Sequence, residues 1–444
     1  MITTLKNSFK IPEVRKKILM TLLFVLIYRV GCYIPVPGVS VSAFQSAFSG
    51  GSMSLFGIMN AITGGALSQG TLFAIGISPY INASIIVQLL TVAIPQWQEW
   101  SKHGGEEGRE KLNKVTKWFT LVLAVIQSVG VLLTLKNYSS QSGTDYLSYN
   151  LFGTGALPEW LVFAFVTVIL TAGAYLTMWL GERITEYGVS NGISMIIFIG
   201  IIASGGQAII TMIGNIASKG FVAAQGWQLI VFIVVLVIVY AFIVFVDGGE
   251  RKIPIQYAKS VKGQKMYGGQ STTFPIKVNA SGVMPLIFAF SIMSLPVIIA
   301  QTFFAGSGFE QWVSANCTGG WFYSIVLSIL IFFFAYLYSS ITFDPKDVAE
   351  NLQKNGGFIP GIRPGKNTSE YIGKVVKRIT LWGALFLAVM ALIPSVVFGA
   401  INSDGLLVSS FGATSMLIAV SVALEFDKAL QQQIMMRNYK GFLR

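Results

Sequence analysis

Histidine and cysteine are nearly absent from this chain, and acidic residues are few. One histidine, His103, and two cysteines, Cys32 and Cys317, stand among 444 residues. A His-based catalytic triad or a two-His metal site is therefore impossible within the chain. Two cysteines make neither a disulfide framework nor a metal cluster. No Asp or Glu falls midway along a long apolar run. This argues against an intramembrane aspartyl protease and against a proton- or sodium-coupled carrier, which usually keeps an ionisable group in the membrane. Glycine pairs such as Gly248-Gly249-Glu250 lack the lysine of a phosphate-binding loop. Catalysis has no residues to carry it, and no cofactor is expected.

What remains is hydrophobic sequence and basic charge. Hydrophobic residues make up 53% of the chain and charged residues 11%, with a mean hydropathy of +0.66. That composition indicates a polytopic membrane protein. Crossing a bilayer takes about 20 apolar residues. Such runs lie at Ile18–Val36, Thr71–Val92, Phe119–Leu135, Trp160–Leu180, Ile193–Ile213, Leu229–Val246, Val283–Phe303, Phe322–Ile341, Ile379–Val397 and Leu406–Leu424. They predict an all-α bundle of ten transmembrane helices.

The net charge of +12 comes from 31 Lys and Arg against 19 Asp and Glu. Basic and neutral connections alternate. Positive residues crowd the first segment, Ala93–Trp118, Asp247–Gly282, Thr342–Arg378 and the tail, whereas Pro37–Gly70, Phe304–Trp321 and Phe398–Gly405 have none. The positive-inside rule then puts both termini in the cytoplasm. Lysines ahead of Ile18 imitate a signal peptide. Arg29 interrupts the apolar run, however, and no small-x-small cleavage site follows, so the run reads as a retained first span.

Gly50–Thr91 is the most unusual stretch. Ser52–Ala66 is apolar, uncharged, glycine-punctuated and too short to cross. The run after it holds Pro79 and the small polar groups Ser78, Asn82, Ser84 and Gln88. Backbone that breaks off at membrane depth is tolerated where protein buries it or where it lines a wet cavity. One reading is thus a plug and a cavity lining; the other is a surface loop followed by an ordinary packed helix. Arg29 is the single charge within a span. Placing it at the bilayer centre would cost roughly 2.5–3.5 kcal/mol, so it either faces the bundle or a wet vestibule, or snorkels to an interface.

The halves also echo each other. Gly76-Ile77-Ser78-Pro79 in the second span matches Gly282-Val283-Met284-Pro285 in the seventh. Five spans separate them, and an odd number per half inverts the second half, a plan used by transporters and channels. Expected units are 1–215 with five spans, 216–424 with five spans, and a cytoplasmic tail 425–444. Within the second unit, the basic loops 247–282 and 342–378 are far longer than packing needs. Ile253, Ile255 and Tyr257 alternate as in a hairpin. Gly357–Gly365 shapes a turn that presents Arg363. Lipid attraction would need only flexible lysines, whereas arginines framed by proline and glycine suit docking of a large acidic partner.

These pieces resemble the SecY family, the large subunits of bacterial protein-conducting channels. The likeness covers the whole chain and is carried by Gly64-Gly65-Ala66-Leu67-Ser68, by Gly76–Thr91, and by Thr185-Glu186 with Asn191-Gly192-Ile193-Ser194. It is carried further by Arg251–Ala258, by Lys277-Val278-Asn279 ahead of Gly282–Pro285, and by Gly357–Gly365. The resemblance implies a passive pore in the bacterial plasma membrane, which passes unfolded secretory chains across and releases hydrophobic helices sideways into lipid.

It further implies a plug near 52–66 with Leu55, Phe56, Ile58, Met59, Ile62, Gly64 and Gly65. The implied pore ring is Ile77, Ile81, Ile193, Ile197, Ile287 and Ile418. Aliphatic side chains at a constriction exclude water and ions by dewetting; core packing is the other meaning of such isoleucines. The second and seventh spans would form a lateral gate with Pro79, Gln88, Pro285 and Leu295, the prolines removing helix hydrogen bonds and permitting bending. Arg251, Lys252, Lys259, Arg363 and Lys366 would meet the SecA motor or the ribosome. Small companion subunits SecE and SecG are implied, along with signal sequences and nascent chains as passengers. The alternative to a channel is an inverted-repeat secondary transporter of a small solute.

Overall fold

The computed structural model describes residues 2–42, 44–45, 60, 63–102, 104–142, 146–147, 158–220, 227–257, 260–262, 265–267, 271–278, 282, 284–304, 307–317, 320–401 and 413–442. The first half of the chain contains α1 (Ile2–Lys10), α2 (Pro12–Gly31), α3 (Ser78–Ala93), α4 (Pro95–Lys102), α5 (Gly105–Ser142), α6 (Glu159–Tyr187) and α7 (Gly192–Lys219). After α8 (Trp227–Asp247) come four strands: β1 (Glu250–Tyr257), β2 (Ser260–Lys262), β3 (Lys265–Tyr267) and β4 (Ser271–Lys277). Then follow α9 (Met284–Phe303), α10 (Gly308–Cys317), α11 (Gly320–Thr342), α12 (Pro345–Lys354), β5 (Gly357–Phe358), α13 (Lys366–Ile401) and α14 (Ala413–Phe442).

Each of the ten apolar runs has a helix beneath it. Among the described residues, five helices are long and apolar enough to cross a membrane, and six if the bent pair α3–α4 counts as one. Helix α8, WQLIVFIVVLVIVYAFIVFVD, is apolar around its whole circumference, as a lipid-embedded helix is. Asn191 caps α7 by accepting from the Ile193 amide at 3.0 Å, and Asp344 caps α12 by accepting from Lys346 at 2.9 Å.

Several connections are more ordered than hydropathy predicts. Most of the basic stretch Ala93–Trp118 lies in helices: α4 turns 109° from α3, and the charged first turns of α5 follow. At 38 residues α5 is about 57 Å long by a rise of 1.5 Å per residue, well beyond a bilayer core of about 30 Å. Glu106 and Glu107 occupy its first turn, where the helix dipole favours acids. The tail does not start anew at 425, because α14 runs unbroken across that point. It is tied there by a 2.8 Å ion pair from Lys428 to Asp247 and by the Gln433 amide donating to the Val189 carbonyl at 3.3 Å.

The second apolar run is not helical from its start. Residues 63–77 are turns, and α3 begins only at Ser78. Leu67, Phe73, Ala74 and Ile75 are nevertheless buried. The backbone of this stretch is paired within itself, Thr71 N to Ala66 O at 3.3 Å and Ala74 N to Thr71 O at 3.0 Å, and to the end of the first span, Leu72 N to Ile34 O at 2.9 Å. Protein thus buries this non-helical backbone, the condition under which such backbone is tolerated within a membrane. A methyl group added at Gly173 of α6 would lie on the Leu72 carbonyl oxygen. Gly173→Ala is therefore expected to cost about 1–3 kcal/mol through overpacking. It should lower the melting temperature of the detergent-solubilised protein by several degrees; an unchanged melt would contradict this packing.

The two long basic loops form one unit. In β4-β1-β5 the strands are antiparallel, Ile253 opposite Phe274 and Gln256 opposite Phe358. The expected alternation holds: Ile253 and Ile255 are buried while Arg251, Lys252 and Pro254 are exposed. Pro254 is tolerated because β5 pairs only with Gln256 and Tyr257, which leaves β1 an edge strand at the proline. Ile253, Ile276, Ile359, Ile372 and Val376 form the unit's own core.

Candidate functional site

The six isoleucines Ile77, Ile81, Ile193, Ile197, Ile287 and Ile418 come from α3 and its lead-in turn, α7, α9 and α14. All six pack in one hydrophobic cluster. Ile77, Ile81, Ile197 and Ile418 are buried within it, and Ile193 and Ile287 are half-buried against it. Gly181 of α6 underlies one side: a Cβ there would stand 3.5 Å from Ile77 Cδ1 and 3.3 Å from Ile193 Cγ1. Ile77 sits one residue ahead of α3 with near-helical φ −92 and ψ −1, so it still shares a face with Ile81.

Helix α9 packs against both α3 and α5. Pro79 and Pro285 do not act as expected from sequence. Each is the second residue of its helix, α3 and α9 respectively, where no intrahelical hydrogen bond is lost. Gly76 and Gly282 precede them with φ of 59 and 62, the left-handed backbone that glycine adopts without steric cost. The matched sequence motif is thus one helix-start device used twice. Pro296 lies inside α9, next to the half-buried Leu295.

Gln88 is half-buried on α3. Two other amides are more deeply placed. Asn82 Nδ2 on α3 and both polar atoms of Gln127 on α5 are buried with no hydrogen-bond partner among the described residues. An unpaired buried amide costs about 1–3 kcal/mol. Asn82 and Gln127 are each visible in the sequence as a polar residue in an apolar run, but only the structure shows that these buried atoms lack a partner among the described residues.

Of the plug residues, Gly64 and Gly65 are described; Leu55, Phe56, Ile58, Met59 and Ile62 lie outside the described residues. Arg29 stands in the last turn of α2, where the helix dipole favours a cation. It is half-buried and faces the bundle, its Nη1 donating to the Gly64 carbonyl at 3.4 Å. Of the basic residues expected to meet a partner, Arg251, Lys252, Arg363 and Lys366 are exposed on the sheet-bearing unit, and Lys259 lies outside the described residues.

Long apolar helices, a buried non-helical backbone beside them and an exposed basic sheet fit the class of helical membrane channels. Solved structures agree on the fold. A protein-conducting channel matches with TM-score 0.61 and 17% identity over 94% of this chain and 92% of that one. Sec61 in the canine ribosome–channel complex from the endoplasmic reticulum matches with TM-score 0.58 and 16% identity over the same shares. The SecY family model matches residues 71–426. Protein translocase subunit SecY of Streptomyces galbus is 41% identical over 454 residues, covering 100% of both chains. The subunit of the same name from Thermotoga maritima is 38% identical, covering 99% of this chain and 97% of that one. This chain belongs to the SecY family. It is a multi-pass bacterial plasma-membrane protein and a protein-conducting channel, and the solute-carrier alternative is not favoured.

Proposed function

We propose that the isoleucine cluster is the waist of this channel, through which unfolded secretory chains pass. The observation that carries the reading is the convergence of six isoleucines from four helices into one apolar cluster. A dry aliphatic constriction excludes ions by dewetting. It also gives way around an extended chain without offering that chain a polar binding site. No phosphate-binding loop occurs in the sequence, so the pore is passive and a partner supplies the energy.

In this reading the ten helices α2, α3, α5, α6, α7, α8, α9, α11, α13 and α14 are the spans. They form two inverted halves, 1–215 and 216–424, with both termini cytoplasmic. The shared device at Gly76–Pro79 and Gly282–Pro285 supports the repeat. The lateral gate lies between α3 and α9. Gln88, Asn82 and Gln127 supply polar groups along it, and Leu295 with Pro296 marks where α9 bends to release a hydrophobic segment into lipid. Residues 52–66 are the plug; in a solved relative, the plug domain stabilises the closed state of the translocation channel and maintains a membrane seal. The sheet-bearing unit meets the ribosome or the SecA motor, as the ribosome-bound relatives suggest. SecE and SecG brace the bundle opposite the gate.

The test is a stalled secretory chain carrying a photocrosslinker. It is expected to label Ile81, Ile197 and Ile287 in one complex. Labelling confined to the exposed surface would remove the waist from these residues.

A further inference from the structure

Asn60 and residues 63–68 are tied together and clipped to two helices. Asn60 makes the ties: its carbonyl accepts from the Gly65 amide at 2.9 Å and from Thr63 Oγ1 at 3.1 Å, and its side chain accepts from the Ser68 amide at 2.9 Å. On one side lies α2. Tyr28 OH stands 3.5 Å and Cys32 Sγ 3.8 Å from the Thr63 carbonyl, and Arg29 Nη1 donates to the neighbouring Gly64 carbonyl. On the other side lies α7, whose Gly200 backbone comes within 3.1 Å of where a Gly64 Cβ would stand. The Arg29 guanidinium blocks that same Cβ position. Gly64 takes φ +68, so backbone conformation and space both require glycine.

The guanidinium is held from behind as well. Its Nη2 lies 3.4 Å from the Tyr33 hydroxyl, and its central carbon sits 5.5 Å from the Tyr33 ring centroid, a cation–π distance. A long cationic side chain at a helix end usually reaches for water or headgroups. This one turns inward to a backbone carbonyl in the stretch where the plug joins the rest of the chain.

We infer that Arg29 is the latch of the channel's seal: a positioning residue that holds Thr63 and Gly64 against α2 and α7 while no chain is passing. The inference rests on the plug reading of 52–66. Displacing the plug from the resting channel breaks the Arg29–Gly64 contact, so this bond sets part of the gap between shut and open. A lysine keeps the charge but loses the forked donor geometry, and a glutamine loses the charge.

The test uses the full channel in membrane vesicles, with resting anion efflux and signal-driven export measured side by side. Arg29→Gln is expected to raise resting efflux about tenfold, the factor set by one partly exposed charge-assisted hydrogen bond. Signal-driven export should change little, and Arg29→Lys should fall between. Gly64→Ala, which strikes the guanidinium, should leak likewise. The double variant should leak no more than Gly64→Ala alone, because that change already breaks the Arg29 contact. If Arg29→Gln fails to accumulate, Gly64→Ala alone decides, and a tight Gly64→Ala channel overturns the latch. A channel lacking residues 52–59 separates the two ideas. If it is tight at rest, the plug reading fails; if it leaks while Arg29→Gln and Gly64→Ala stay tight, only the latch fails.

Discussion

Replacing Ile81 or Ile197 with aspartate is expected to make the resting channel leak ions roughly a hundredfold faster. The physical reason is a cost that one state bears and the other does not. Both side chains are buried in the cluster shared by α3, α7, α9 and α14. In the proposed waist, a carboxylate placed there costs on the order of 2.5–3.5 kcal/mol. Water entering the waist relieves that cost. The hydrated state therefore gains over the dry one by about two powers of ten, since each 1.4 kcal/mol is a factor of ten. Ile81→Leu, of nearly equal volume, should stay tight. Anion efflux from vesicles reads the effect directly. If both aspartate variants remained as tight as the parent and exported normally, the cluster would be packing and nothing more.

Reversing charge at both Arg251 and Arg363 should have the second largest effect. The two residues lie in loops about a hundred positions apart, yet β1 and β5 hydrogen-bond across that gap. Both side chains are exposed, so neither supports the core of Ile253, Ile276 and Ile359 beneath them. Arg251→Glu with Arg363→Glu is expected to weaken ribosome binding to channel vesicles roughly a hundredfold at low salt, since truncating a charge pair at an interface costs about 2–5 kcal/mol. The single change Arg251→Gln should reduce the salt slope of binding by about one if that residue contacts phosphate. Unchanged binding together with unchanged SecA-driven export would show that this face does not dock either partner.

The class of this protein is legible in its sequence because hydropathy and loop charge act locally. An apolar run marks its own helix wherever the helix ends up, and lysines on one side of a run report orientation without any tertiary contact. The hairpin at Ile253, Ile255 and Tyr257 was visible for the same reason, since period-two alternation belongs to one strand. The six isoleucines were legible only through family likeness. Isoleucine at a constriction and isoleucine in a core read the same along the chain.

What the chain alone determined was that it is membrane-bound and helical, with its basic residues gathered in alternate connections. Each of these follows from the free energy of moving a side chain between water and lipid, which depends on residue type. Only the tertiary structure decided how far α5 and α14 run past the apolar stretches, because helical turns rich in charge carry no hydropathy signal. It alone joined β1 to β5, revealed Gln127 as a buried amide without a partner among the described residues, gave Pro79 and Pro285 places in the first turn of their helices, and turned Arg29 toward Gly64. Those outcomes depend on which distant backbone atom lies within about 3 Å of a given donor. A one-dimensional pattern does not encode that distance.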